Sequence, residues 1–184
     1  MSDVAVLPLT GTYHAQSTAS TFAFAVRHSG VFRFRGVVSD VAATLHADGD
    51  TLALAGTARV DSISVSEPAA LRASVLGREF FDAEHHPELT FRSTAVRLDG
   101  ADGLEVDGDL TLRGVTRAVT ATGHYGAPRQ AGFGEVAGMH LHACIDRRDF
   151  GFDWQAEMPA GGHALGWDVD LEIDLLFVRQ DAAV

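Results

Sequence analysis

Lysine is absent. All 14 cationic side chains of this 184-residue chain are arginines, set against 25 acids, for a net charge of −11. A chain so balanced lacks the clustered cations that release counterions from a phosphate backbone, so nucleic acid is not an expected partner. With Ala, Gly and Asp abundant, the missing lysine reads as GC-rich bacterial coding rather than as a mechanism. Cysteine is nearly absent too. Cys144 stands alone, which excludes an intrachain disulfide, a CxxC redox pair and a cysteine-rich zinc module. No apolar run approaches the roughly 18 residues of a membrane-spanning helix. The opening MSDVAVLPLTG lacks the basic start and apolar core of a secretory signal, and the expected location is cytoplasmic. No GxSxG elbow, phosphate-loop lysine or dinucleotide fingerprint occurs, and the glycine-bounded GVFRFRG and GADGLEVDG read as strand ends and hairpin turns.

What the chain does have is glycine, 19 of them, and short runs that alternate apolar with polar, the signature of half-buried strands. STFAFAVRH puts Phe22, Phe24, Val26 and His28 on one face; LEVDGDLTLRG does the same for Leu104, Val106, Gly108, Leu110 and Leu112. WDVDLEIDLLFV alternates Trp167, Val169, Leu171, Ile173, Leu175 and Phe177 with four acids. Further strands are expected near residues 10–16, 31–47, 51–62, 89–99, 115–124 and 136–148. Around Ser39 and Asp40 the apolar phase switches, which predicts a bulge or bend. One short helix is expected over residues 68–76, with Pro68 in its first turn and Leu71 and Val75 four apart.

The fold expected is all-β, a single antiparallel barrel of eight strands over residues 10–180 with a short helix near one end, between tails at 1–9 and 181–184. Several strands reach roughly 30 Å, which favours a barrel over a sandwich. A barrel of that size holds packed side chains or one small ligand, and the face formed by Leu52, Leu54, Gly56, Ala58 and Val60 includes small members that leave room.

Two histidine groups invite a metal reading. REFFDAEHHPELTFRS sets acids around His85 and His86. Consecutive side chains in a connection diverge, however, and Pro87 straightens the chain into the next strand, so a solvated connection is expected. His140, His142 and Cys144 share one strand face, with Met139, Leu141, Ala143 and Ile145 on the other, inward one; the trio then faces solvent, a metal or a second copy of the chain in a homodimer. His28 and Arg147 end two inward phases. Each either meets a ligand's polar head or bonds turn carbonyls, and Arg147 has Asp149 as a potential ion-pair partner.

Several separated motifs agree with one family. Tyr13 before STFAFAVRH, the segment carrying Phe80, Phe81, Asp82, Pro87, Phe91 and Ser93, GDLTLRGVTRAVT at 108–120, and IDRRDFGF at 145–152 occur in order along the chain. In this the chain resembles the YceI-like, or polyisoprenoid-binding, domain. It departs from the usual pattern at Gln16 and Ala19, where members carry Asp and His, and at Leu71 and Arg72, where they carry an Arg-Asp pair.

The resemblance implies a lipocalin-like barrel that binds, sequesters or carries a long apolar molecule, an isoprenoid, an isoprenoid quinone or a fatty acid or amide, in its tunnel. The expected lining or barrel-end residues are Phe22, Phe24, Val26, His28, Phe32 and Phe34 from the first strands, Leu110 and Leu112 from the middle, and Arg147, Phe150, Trp154, Val169, Leu171 and Ile173 from the last third. Such binding requires no cofactor and no metal. An enzyme acting on the same ligand is the alternative, disfavoured by inward faces nearly free of acids and nucleophiles. A structural protein with a filled barrel is the third.

Overall fold

The structure, a computed structural model, describes residues 9–65 and 68–180. Of the expected tails at 1–9 and 181–184, residues 1–8 and 181–184 lie outside the described residues. Among the described residues, ten strand segments occupy eight positions of a closed antiparallel barrel. The first wall strand comes in two halves, β1 (Gly11–Ala15) and β2 (Thr21–His28), as does the second, β3 (Phe32–Val38) and β4 (Val41–Asp48). Then follow β5 (Thr51–Arg59), β6 (Glu88–Asp99), β7 (Gly103–Leu112), β8 (Val115–Ala131), β9 (Gly134–Asp146) and β10 (Leu165–Arg179), with one helix, α1 (Ala69–Leu76). β10 closes the ring against both halves of the first strand, Leu171 opposite Phe24 and Phe177 opposite Ala15. Closure pairs the ladder groups that an open sheet would leave at its edges.

Both interruptions are braced by serines. Between β1 and β2 the short 3-10 turn Ser17–Ala19 interrupts the ladder on one edge of β10, and Gln16 N–H donates to Leu176 C=O (2.8 Å) while Leu176 N–H donates to Ser20 Oγ (3.1 Å). At the bend expected from the phase switch, the Ser39 and Asp40 amides donate to Ser62 Oγ at 3.2 and 2.9 Å. Val41, Ala43, Leu45 and Ala47 then resume on the buried face, as a one-residue change of phase requires.

Three details depart from the sequence reading. β8 continues past residue 124 to Ala131, through a register shift between Gly126 and Arg129. Pro68 precedes the helix rather than opening its first turn, because its ψ of 152° is extended. Trp167 does not face inward. The register of β10 against β2 shifts between Leu165 and Val169, turning the indole out of phase, where the Arg147 guanidinium lies over its ring at 4.2 Å and that of Arg148 at 4.8 Å.

The barrel has two unlike ends. The β4–β5, β6–β7 and β8–β9 turns and the β1 start lie together at one end; α1, the β2–β3 and β7–β8 turns and the 147–164 segment lie at the other. Tyr13, fully buried, closes the first of these ends: its hydroxyl donates to Glu135 Oε1 at 2.5 Å, and Arg179 Nη1 stands 3.5 Å from the same carboxylate. Burial, then the bond to Glu135, pushes the Tyr13 phenol up to about 12.

Candidate functional site

Alternation along the wall strands aims their apolar side chains at the barrel axis, and they do not fill it. Two apolar chambers remain. The outer one, about 200 Å³, lies at the α1 end and is walled by Phe22, Phe24 and Val26 of β2, Phe34 of β3, Val169 and Leu171 of β10, and Leu71 and Val75 of α1. The inner one, about 80 Å³, is walled by Leu54, Leu110, Leu141, Ala143, Ile173 and Leu175 among others. Phe22 and Leu171 line both and stand between them. Two glycines let rings lie across the strands. A Cβ at Gly36 would sit 2.6 Å from the Phe24 ring, and one at Gly108 2.4 Å from the Phe91 ring, so neither position tolerates a side chain without moving a wall.

The outer end is built mainly of rings. Phe81 packs on Phe24 at 5.5 Å and on Phe152 at 5.4 Å, while Phe80 packs on Trp154 at 5.3 Å. Arg72 fastens α1 to the chain before it: its guanidinium donates to the carbonyls of Asp61 (2.6 Å), Ile63 (2.9 Å) and Val65 (3.2 Å).

Polar groups on the outer chamber are few: His28, Ser74 and Arg147. The His28 ring lies 4.8 Å from Phe32, and its Nδ1 is 2.9 Å from Ser29 Oγ. Arg147 is 4% exposed and donates to three carbonyls, Phe152 (2.5 Å), Gly166 (2.7 Å) and Leu165 (3.2 Å). Desolvation lowers its pKa. The expected alternative partner, Asp149, is not used; the guanidinium instead ties the 3-10 turn Arg147–Phe150 to the start of β10. Among the described residues, the lining of both chambers contains no Asp, Glu or Cys.

A family model described as the YceI-like domain matches residues 13–177, from the buried Tyr13 of β1 to the buried Phe177 of β10, the strand that closes the barrel against β1. The chain belongs to the YceI-like family. Among curated relatives, a UPF0312 protein of Pseudomonas putida is 34% identical over 107 residues, 58% of this chain and 52% of the relative. One from Vibrio parahaemolyticus is 31% identical over 129 residues, 70% of this chain and 63% of its own. The chain therefore spans about half the length of the first of these. Among solved structures, BcnA of Burkholderia cenocepacia superposes with a TM-score of 0.71 at 19% identity, covering 88% of this chain and 98% of that one. A polyisoprenoid binding domain from Saccharophagus degradans, implicated in plant cell wall breakdown, gives 0.68 at 14% identity, covering 91% and 98%.

In this YceI-like barrel, Phe22, Phe24, Val26, His28, Phe34, Leu112, Arg147, Trp154, Val169 and Leu171 lie on the outer chamber, and Leu110 and Ile173 on the inner. Two named residues fall outside. Phe32 is 53% exposed on the β2–β3 hairpin, since it pairs opposite His28 where the strand pair leaves the wall. Phe150 is buried beneath the 3-10 turn rather than along the cavity.

Periodicity missed Phe80, Phe81 and Phe152, which sit in connections; two adjacent phenylalanines inside an acid-rich segment were the available signal. In that segment His85 Nδ1 meets Asp82 Oδ1 at 2.9 Å, and this bond holds the Asp82 carboxyl below its ordinary range. His140, His142 and Cys144 face outward on β9; His140 meets Asp174 at 2.7 Å and His142 lies 3.4 Å from Asp170. Among the described residues no three His, Cys, Asp or Glu side chains have a metal-holding arrangement, and no helix is long and apolar enough to cross a membrane.

Proposed function

We propose that the chain binds and carries a long apolar ligand, an isoprenoid or fatty chain, with its tail running from the outer chamber toward Tyr13 and its polar end beside His28. The observation that carries this reading is the pair of apolar chambers in line inside one closed wall. Burial of the tail is the driving force, at about 0.8 kcal/mol per methylene. The Saccharophagus domain described as polyisoprenoid binding supports the same class of ligand.

The two chambers are small, about 200 and 80 Å³, so a tail longer than they accommodate displaces α1 or the Phe81 ring. A carrier role is favoured over chemistry because the lining offers no carboxylate or thiol to act as base or nucleophile.

The test is a series of fatty amides and prenylated quinones of rising chain length, titrated into purified protein alongside mass spectrometry of its organic extract. Saturable binding that strengthens with each added methylene and then levels off is expected. No uptake of any isoprenoid or fatty compound would sink the proposal and leave a filled structural barrel.

A further inference from the structure

The β2–β3 hairpin closes at the α1 end through a left-handed turn. Ser29 (φ 51°) and Gly30 (φ 69°) both lie in the region that disfavours a side chain, and Val31 N–H donates to His28 C=O at 3.2 Å. Ser29 N–H donates to Ala164 C=O (2.7 Å), which ties the tip to the 147–164 segment. Such a turn asks for small or polar residues at its centre, and nothing in its geometry calls for an apolar side chain next to it. Yet Val31 is 85% exposed and Phe32 53%. Phe32 stands on the rim of the outer chamber, since it packs on His28 and His28 lines that chamber, and Val31 precedes it at the hairpin tip. Leu71 of α1, 38% exposed, adds a third apolar side chain on the same rim.

The hairpin tip itself is basic. RHSGVFRFR, residues 27–35, holds three arginines and no acid in a chain of net charge −11. Arg33 and Arg35 reach across β2 to Asp170 and Glu172; Arg27 makes no ion pair among the described residues. At the opposite end the β4–β5 and β6–β7 turns carry Asp48, Asp50, Asp99 and Asp102 and no arginine. Around the mouth the connections carry acids as well, Glu79, Asp82 and Glu84 before β6 and Asp149, Asp153 and Glu157 in the 147–164 segment, so the charge that suits an anionic surface is local to the hairpin tip and resides in Arg27.

We propose that the Val31–Phe32 tip is a lipid-surface docking element. Resting on the binding function above, the tip enters the headgroup boundary of an anionic bilayer and sets the outer chamber against the acyl region. A ligand then passes between bilayer and barrel without crossing water. Apolar burial supplies the hold and Arg27 the preference for anionic headgroups, the two contributions that govern interfacial binding.

The full chain and a Val31→Ser/Phe32→Ser double variant are sedimented with vesicles of phosphatidylcholine, alone or mixed with phosphatidylglycerol, and transfer of a fluorescent fatty acid from those vesicles is timed. The native chain pellets with the mixed vesicles, and its transfer rate rises with vesicle concentration. The double variant pellets roughly tenfold less and loses the concentration dependence, as removal of two inserted apolar side chains requires. Affinity for the free fatty acid is unchanged in Val31→Ser, whose side chain lines neither chamber, whereas Phe32 packs on His28. Val31→Ser alone gives an intermediate loss of pelleting. Native protein that stays in the supernatant, or a double variant that pellets equally, overturns the proposal. So does a dimer that the double variant abolishes while pelleting persists, which assigns the tip to a second copy. A protein that pellets normally but never takes up the fatty acid keeps the docking element and removes the binding function instead.

Discussion

Tyr13 shows how one side chain closes an end of the barrel. Its phenol is fully buried and bonded to Glu135, so the neutral form is favoured and ionisation is pushed from 10 to about 12. Unfolded, the same phenol ionises near 10; its contribution is therefore intact below pH 10 and is lost as pH rises from 10 to 12, amounting to about 2–3 kcal/mol. No lysine titrates in that window. Urea unfolding between pH 9 and 12 should show this loss in the native protein and not in Tyr13→Phe, which is less stable by about 1–3 kcal/mol at pH 8. His28 and Arg147 separate by the same reasoning. Arg147 holds three carbonyls, so Arg147→Met lowers stability by about 3 kcal/mol or more and weakens headed and headless ligands alike. His28→Leu leaves stability within about 1 kcal/mol and weakens only a polar-headed ligand, by roughly 1–3 kcal/mol. Calorimetric titration of a fatty amide against the matching hydrocarbon distinguishes the two, and a selective head-group loss in Arg147→Met would reverse their roles.

Among the elements, α1 is the one built to move. Most wall strands are paired along both edges, β3 being bonded to β2 alone, whereas the eight-residue helix belongs to no ladder and has an apolar face on the outer chamber and a clamp through Arg72 to residues 61, 63 and 65. Few fastenings place a segment at the low end of local stability. Arg72→Met removes three bonds, so α1 amides should exchange with deuterium roughly tenfold faster or more, each net bond contributing about 1 kcal/mol, while strand amides are unaffected. Release of a bound fatty probe should quicken in parallel. Equal exchange rates in the native chain and the variant would mean that the ring contacts of Phe81, not the clamp, hold the end closed.

For the whole molecule, a ligand that binds the closed barrel and not the unfolded chain stabilises it by mass action, about 2.7 kcal/mol at a hundred times its dissociation constant. In a chain of this size that corresponds to a rise in melting temperature of roughly 5–10 °C. Differential scanning fluorimetry across the chain-length series should show shifts that track affinity; binding without any shift would place the ligand outside the barrel. The ends of the molecule differ in kind: a buried phenol bonded to Glu135 at one, rings and the helix at the other. That polarity gives the cavity a direction that the wall strands alone do not supply.

The alternation of β2, β7 and β10, the bend at Ser39 and Asp40, and the outward turn of His140, His142 and Cys144 were all legible in the sequence. The facing of a strand residue is set by the pleat, a local period of two. The family motifs were legible for the same reason, being short and contiguous. Tertiary structure alone decided what happens at the ends and along the axis. Phe81 turns onto Phe24, the Tyr13 hydroxyl meets Glu135 122 residues away, the shift in β10 takes Trp167 out of phase, and Arg147 meets carbonyls rather than Asp149. Each depends on which rings and backbone oxygens the closed wall brings together across long stretches of chain, and no local period encodes that.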